Sequence, residues 1–138
     1  MRSSPGYLLK RAQLALRNRM DAELRELDLT TPQFAILDAL SRAKAGLSNA
    51  ELARRCFVSA QATHGVVVAL ERRGLLQRPD EADVGRARYA ILTGDGSKLH
   101  RRANRVVERI VRLAFGDLSS SDRAELVKAL RSVVERLG

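Results

Sequence analysis

A short polar stretch at the centre of the chain holds the residues best suited to specific chemistry. It comprises Ser59, Gln61, Thr63 and His64. A serine before an apolar-periodic segment favours a helix start, so the other three side chains would lie in the first turns of that helix. At such an exposed helix end, glutamine can bond the edge of an adenine twice, threonine offers a hydroxyl or methyl group, and histidine can donate or accept. The stretch therefore predicts contacts with base edges in a DNA major groove.

Two arginines further along predict a second contact. Arg86 and Arg88 alternate with apolar residues up to Leu92, which is typical of a β-strand, and residues 79–85 read PDEADVG, which is turn chemistry. With a strand over 75–78, this makes a β-hairpin with a charged tip. Arginine at such a tip can enter a narrow minor groove or contact phosphate. The alternatives are an ion pair between Arg86 and Asp83 and a solvated edge charge at Arg88.

Alternatives also stay open in the polar stretch. His64 could be a surface histidine or a phosphate contact instead of a base reader. Thr63 could pack against the preceding turn. Ser48 and Asn49, which begin the helix before the polar stretch, are expected to contact phosphate.

Composition points to the same class of partner. The 138 residues carry 25 basic and 16 acidic side chains, a net charge of +9, and 21 of the basic residues are arginine. Arginine suits bidentate contacts with phosphates and base edges. Because aromatic residues make up only 4% and tryptophan is absent, stacking on single-stranded nucleic acid or RNA is disfavoured. Apolar residues at 45% exclude a disordered basic tail.

Other classes of function find little support. The single cysteine, Cys56, excludes an internal disulfide, and two histidines 36 residues apart make a poor metal set, so we expect no metal and no cofactor. Cys56 is interpreted as a small buried hydrophobe. No nucleophile elbow, paired acids or phosphate-binding loop is present, so we expect no enzyme. No apolar run could span a membrane or form a signal core, so a cytoplasmic protein is expected.

Periodicity predicts six helices around the hairpin. A helix over 7–28 carries one apolar stripe, and a second begins at Thr31, interpreted as its N-cap, followed by Pro32. Two short helices, from Ser48 to about Cys56 and from Ser59 to Arg73, are joined by a tight turn, and Gly74 supplies the left-handed stop. Two long amphipathic helices follow the hairpin. Two short helices, the second able to enter a major groove, followed by a basic hairpin, form a winged helix-turn-helix.

The fold class is therefore mainly α with a small β-hairpin wing: a winged helix-turn-helix with long N- and C-terminal dimerisation helices. We expect a single domain over 1–138. Residues 31–93 would form the DNA-binding lobe, and 7–28 and 97–138 a helical dimerisation lobe. The terminal helices carry long apolar stripes that need a cover, and a two-fold dimer provides one.

Several short motifs occur in an order and spacing that are typical of one known protein family. They are Leu29-Thr30 with Gln33, Ser48 with Glu51-Leu52-Ala53, Leu70-Glu71 with Gly74-Leu75, and Arg78, Asp83, Gly85-Arg86 and Leu92-Thr93. Over about 29–96 this pattern resembles the MarR family of bacterial transcriptional regulators. One departure concerns the wing: Asp83 precedes Arg86 by three residues where the family usually has two. Either Asp83 or Asp80 would therefore orient Arg86.

The resemblance implies a homodimeric, sequence-specific double-stranded DNA-binding regulator. It would act on a pseudo-palindromic site, more as a repressor than an activator, with release by a small aromatic or phenolic inducer. The implied dimer interface comprises Leu9, Leu16, Ile110, Leu126, Leu130 and Val133. An implied ligand pocket could be lined by Arg11, Arg17, Phe34 and His100. The competing functions are a non-specific architectural DNA binder and a ligand- or protein-binding dimer that has lost DNA binding.

Overall fold

Six α-helices and three short strands make up residues 3–56, 58–79 and 89–138, the part of the chain that the computed structural model describes. The helices are α1 (Pro5–Leu24), α2 (Thr31–Ser41), α3 (Asn49–Cys56), α4 (Ala60–Arg72), α5 (Gly94–Phe115) and α6 (Ser120–Leu137). The strands are β1 (Leu47–Ser48), β2 (Leu76–Gln77) and β3 (Tyr89–Leu92), and a 3₁₀ turn covers Arg25–Leu27. The helix order and the hairpin agree with the sequence prediction.

Hydroxyl side chains fix where the helices begin. The side chains of Ser59 and Ser119 accept hydrogen bonds from backbone amides three residues ahead, as N-caps do. The start of α2 corrects the sequence prediction. Thr30, not Thr31, is the N-cap, and it forms a capping box with Gln33, in which the two bonds measure 3.2 and 3.0 Å. The Leu-Thr-x-x-Gln motif is therefore a helix-start device.

The strands form a small antiparallel sheet with β3 in the middle. Leu47 of β1 lies opposite Ala90, and Leu76 of β2 lies opposite Leu92. The alternation of apolar residues predicts the two hairpin strands but not β1, since a two-residue strand is too short to show alternation. The tip of the hairpin, with Asp80, Asp83, Arg86 and Arg88, lies outside the described residues.

The core lies around α2. Buried leucines, isoleucine and valine from α1, α2, α3, α4 and the sheet form one cluster, in which Ile36, Leu37, Leu52, Val67 and Leu70 have no exposed surface. Each such side chain contributes about 1.5–3 kcal/mol by leaving water. This cluster fixes α3 and α4 relative to each other, which positions the polar stretch that follows Ser59.

The terminal helices present apolar side chains to solvent. Apart from Tyr89, every exposed large hydrophobic residue of 3–56, 58–79 and 89–138 lies on α1, α5 or α6. Helix α6 has no buried residue at all. None of the helices in these segments is both long and apolar enough to cross a membrane.

Candidate nucleic-acid interface

Helix α4 has one face locked into the core. Thr63, Val67 and Leu70 are completely buried, and the Thr63 hydroxyl donates to the backbone oxygen of Ser59 at 2.8 Å. The prediction that Thr63 is exposed and meets a base edge is wrong. Its spacing of four and seven residues from Val67 and Leu70 places it on their stripe, and its hydroxyl is satisfied within its own helix.

The opposite face of α4 is open to solvent. Gln61 and His64 are exposed, as the sequence indicated, and Ser59 is the N-cap, accepting from the amide of Ala62 at 3.1 Å. Gly65 lies on this same face, and a Cβ atom built there would meet nothing within 4 Å. Gly65 is not among the candidate DNA-contact residues predicted from the sequence. The available signal was its spacing of four residues from Gln61, combined with the cost of a glycine inside a helix.

The start of α3 borders this face. The side-chain amide nitrogen of Asn49 lies 3.5 Å from Nδ1 of His64. The hydroxyl of Ser48 accepts from the amide of Glu51 at 3.2 Å, and Ser48 is 8% exposed. Ser48 thus caps the start of α3. The phosphate contacts expected of Ser48 and Asn49 stay predictions, with Asn49 the better placed of the two because it is less buried.

The carboxyl end of α4 is fastened to α5. Gly74 ends the helix in the left-handed region with φ at +72°, as expected from the sequence, and its carbonyl accepts from the Thr93 hydroxyl at 2.6 Å. The backbone of Gly96 lies so close to Leu75 that a Cβ atom there would be 1.9 Å from the Leu75 carbonyl oxygen. Only glycine permits this approach, so the seam between α4 and α5 depends on it.

A second fastening joins α4 to the turn between α1 and α2. Arg73 donates to the backbone oxygen of Asp28 at 2.6 Å, and Asp28 itself is in the left-handed region with φ at +55°. Aspartate tolerates this region better than most residues. The end of α4 is therefore held by both the amino-terminal and the carboxy-terminal helical segments.

Two residues expected in a ligand pocket do come together. The rings of Phe34 and His100 stack with their centroids 5.9 Å apart and an interplanar angle of 12°. Nε2 of His100 lies 2.9 Å from an Asp38 carboxylate oxygen, and Arg42 lies 3.3 Å from the other oxygen. This arrangement joins α2 to the first turns of α5.

Clefts open on two sides of α2. One, of about 390 Å³, lies against α1 and α3, and its lining includes Met20, Phe34, Asp38, Arg42, Arg55 and Cys56. The other, of about 480 Å³, lies against β3 and α5, and its lining includes Ser41, Lys44, Ser97, His100 and Arg101. The remaining two residues expected in the pocket line neither cleft. Arg11 lies over the Tyr7 ring at 5.9 Å, and Arg17 lies 3.8 Å from Asp21.

Cys56 lies half-buried at the end of α3. Its Sγ is 3.5 Å from the backbone oxygen of Ala35. Burial raises the pKa of the Cys56 thiol, and the nearby Asp38 carboxylate raises it further. Less of the thiol is therefore ionised near neutral pH than in a solvated cysteine, which fits its interpretation as a packing residue.

The residues expected at a dimer interface divide into three groups. Leu9, Leu130 and Val133 are 38–45% exposed, and Leu16 and Leu126 are half-buried. Ile110 corrects the prediction, because it is only 3% exposed in the single chain. Its side chain is covered within its own subunit, so it has almost no surface left for a partner.

Comparison with known proteins connects this geometry to a family. The model of the MarR family matches residues 27–87. The HTH-type transcriptional repressor Rv2887 of Mycobacterium tuberculosis is 38% identical over 133 residues, covering 96% of this chain and 92% of the relative. Its crystal structure in complex with DNA matches with a TM-score of 0.76 at 35% identity, over 95% of this chain and 98% of that one. Its complex with salicylic acid matches with a TM-score of 0.74 at 37% identity, over 95% and 96%.

These likenesses extend over nearly the whole chain, including the terminal helices that lie outside the matched segment. The winged helix-turn-helix expected from the sequence is confirmed, and so is the resemblance stated from its motifs. The chain belongs to the MarR family of DNA-binding transcription regulators, which are not enzymes.

Proposed function

We propose that this protein is a homodimeric, sequence-specific repressor that binds double-stranded DNA and is released by a small aromatic acid or phenol. The observation that carries the DNA-reading part is the division of α4 into two faces. Thr63, Val67 and Leu70 are fully buried, whereas Gln61 and His64 are exposed on the other side. A rigidly seated helix with a polar outer face suits direct readout in a major groove.

Wing residues would add a second contact. Arg86 and Arg88 lie between β2 and β3 in the sequence, after the residues expected to form a turn. We propose that Arg86 enters the adjacent minor groove or meets phosphate, with Arg88 beside it. The recognition helix would supply the sequence preference, and the wing would supply affinity and register.

The terminal helices support a dimer. Their exposed apolar residues need a cover, and an isologous two-fold contact covers the same surface on both chains. In this proposal residues 31–93 form the DNA-binding lobe, and 7–28 and 97–138 form the dimerisation lobe. Such a dimer would place its two recognition helices about 34–36 Å apart, one turn of DNA, and would therefore select a pseudo-palindromic site.

A ligand site is proposed in the cleft between α1, α2 and α3. The ring of Phe34 and the side chain of Met20 offer apolar contact. Arg55 offers positive charge, and Arg42, which also pairs with Asp38, lies in the same lining. These are the partners that a small aromatic carboxylate needs. The relative Rv2887 has been crystallised with salicylic acid, which supports this class of ligand. A ligand that binds more tightly to a dimer with displaced recognition helices would shift the population toward that conformation. DNA affinity would then fall by no more than the ratio of the ligand's affinities for the two conformations.

Selection from a random duplex DNA pool tests the proposal. We expect enrichment of a two-fold-symmetric site, and binding of that site about 10³–10⁷ times tighter than of a scrambled duplex. Gln61→Ala should relax one base position per half-site, whereas the matched control Gln13→Ala, an exposed glutamine on α1, should leave the selected site unchanged. Titrations at two salt concentrations separate phosphate contacts from base contacts.

Two results would overturn the DNA-reading proposal. Tight binding without sequence enrichment, falling steeply with salt, would indicate an architectural DNA binder. Failure to bind any duplex at low salt would indicate a ligand- or protein-binding dimer.

A salicylate titration tests the ligand site. Salicylate should lower the affinity for the selected DNA site, and Phe34→Leu should weaken that response while leaving the affinity without ligand nearly unchanged. An equal salicylate response in wild type and Phe34→Leu would place the site elsewhere.

A further inference from the structure

We propose that Asn49 is a positioning residue for base reading: its side-chain amide holds the His64 ring so that Nε2–H faces the DNA as a donor. The base opposite His64 would then present a hydrogen-bond acceptor, and guanine fits best. This inference rests on the proposed role of α4 in reading DNA, and it replaces the expectation that Asn49 serves only as a phosphate contact.

The contact favours one tautomer of the ring. Nδ2 of Asn49 lies 3.5 Å from Nδ1 of His64. An amide nitrogen has hydrogens to donate but no lone pair to offer, so Nδ1 must be the acceptor. In the neutral ring the single proton then resides on Nε2. The nitrogen left free to meet a partner is therefore a donor.

Both partners of the contact are held by buried neighbours. Asn49 follows Ser48, which is 8% exposed, caps α3 and pairs with β3. His64 follows Thr63, which has no exposed surface and is bonded to Ser59. Because each backbone is fixed one residue away, the two residues stay close enough for the amide to bond the ring at 3.5 Å. The contact can therefore bias the ring orientation before DNA arrives.

A fixed donor discriminates between bases. In the major groove a single donor can bond N7 of adenine, O4 of thymine, or N7 or O6 of guanine, whereas cytosine presents an amino donor, which an Nε2–H group cannot bond. Guanine offers two neighbouring acceptors and therefore suits the donor best. Gly65, beside His64 on the same exposed face, leaves open space where another side chain would stand. A base edge can therefore approach the ring closely. We expect a guanine on one strand at the position that His64 faces.

Nuclear magnetic resonance of the full-length protein tests the ring state directly. The chain has two histidines, so the ring nitrogens of His64 can be assigned with His100 as an internal control. In the wild type, His64 should carry its proton on Nε2 with Nδ1 bare, and Asn49→Ala should shift it toward a mixture of both tautomers while His100 stays unchanged. A wild-type His64 with the proton on Nδ1, or no change in Asn49→Ala, would overturn the proposal.

DNA selection tests the consequence. His64→Ala and Asn49→Ala should both relax the same base position, each lowering the preference for guanine there about three- to tenfold, the range of one hydrogen bond. Asn49→Ala should add little in the His64→Ala background, and Gln61→Ala should relax a different position. Replacing that guanine by 7-deazaguanine should weaken the wild type but not His64→Ala.

Uniform weakening of all sequences by Asn49→Ala would overturn the proposal and leave Asn49 as a phosphate contact. If no sequence is enriched at all, the proposed base reading fails, but the ring measurement still reports whether Asn49 orients His64. The two failures are therefore distinguishable. Melting temperatures of all variants control for loss of fold.

Discussion

Helices α4 and α6 begin in the same way but end in different environments. Ser59 caps α4 at 3.1 Å, and Ser119 caps α6 at 3.0 Å, so both helices are locally well specified. Yet α4 has three residues with no exposed surface, whereas α6, with 18 residues, has no buried residue. The winged region therefore buries its core residues within one chain, whereas every residue of α6 keeps some exposed surface.

An N-cap and favourable helix propensity are seldom enough to stabilise an 18-residue helix such as α6. Isolated helices shorter than about 12–15 residues are marginal in water, and longer ones still depend mostly on packing of an apolar face. Helix α6 therefore derives little stability from its own chain, and its apolar residues, among them Leu130 and Val133, are available for a second copy. Four variants test this division between the winged region and the terminal helices.

Gly96→Ala should have the largest effect, because it disrupts the close backbone contact between Gly96 and Leu75 at the seam between α4 and α5. The new methyl group would overlap the Leu75 carbonyl oxygen, and backbone on both sides would have to move. We expect a loss of about 3 kcal/mol or more in the free energy of unfolding, at the upper end of the range for overpacking. Denaturant titration measures it. Gly94→Ala, in the same turn with nothing within 4 Å, is the matched control, and equal stability of both variants would refute a tight seam.

Leu130→Glu should dissociate the proposed dimer. Leu130 is 38% exposed on α6, and a two-fold interface would bury it twice, at about 1.5–3 kcal/mol for each leucine. We expect the dimer dissociation constant to rise at least 100-fold, with a matching loss of affinity for the two-half-site DNA. Analytical ultracentrifugation measures the first and titration the second. Leu130→Ala should act in the same direction but less, and a Leu130→Glu protein that stays dimeric would place the interface elsewhere.

Gly65→Ala should separate stability from DNA binding within α4. Alanine fits without contact and suits a helix interior better, so the free energy of unfolding should rise by about 0.5–1 kcal/mol. Affinity for the selected DNA site should nevertheless fall, because in the proposed complex the new methyl group lies on the face of α4 that approaches DNA. Gly6→Ala, on α1 with equally open space, should leave DNA affinity unchanged. Unaltered DNA binding by Gly65→Ala would show that this face does not approach DNA closely.

The fold was predictable where local chemistry and periodicity agree. The hydroxyl cap at Ser59 and the left-handed glycine at Gly74 are both predicted from the sequence. The N-cap of α2 was misplaced by one residue, because two threonines in a row offer the same chemistry and only the partner Gln33 decides between them. The strand β1 is not predicted, because its two residues are too few to show alternation and its pairing partners lie more than 40 residues away.

The candidate site was only partly predictable, for a tertiary reason. Gln61 and His64 follow from their position after a helix cap, but the burial of Thr63 follows from the packing of α4 against its neighbours. The same holds for Ile110, whose apolar character predicts a contact without saying which chain provides it. The link between Asn49 and His64 joins residues 15 apart across two helices, and no spacing rule predicts it.

Glu23→Gln should have the smallest effect and tests whether polar contacts contribute to the terminal helices. Glu23 bonds Arg19 within α1 and Arg109 of α5, each at 2.5 Å, and these bonds, with Arg19 the stronger influence, lower the pKa of the Glu23 carboxyl below its ordinary value of 4.5. A lowered pKa in the folded state adds stability above the unfolded value, and this stability is lost as the pH falls through the lowered value. Unfolding measured against pH should therefore show a small deficit for Glu23→Gln above about pH 4.5 that vanishes toward lower pH. The control Glu26→Gln should run parallel to the wild type, and a deficit that persists at low pH would assign the effect to packing instead of charge.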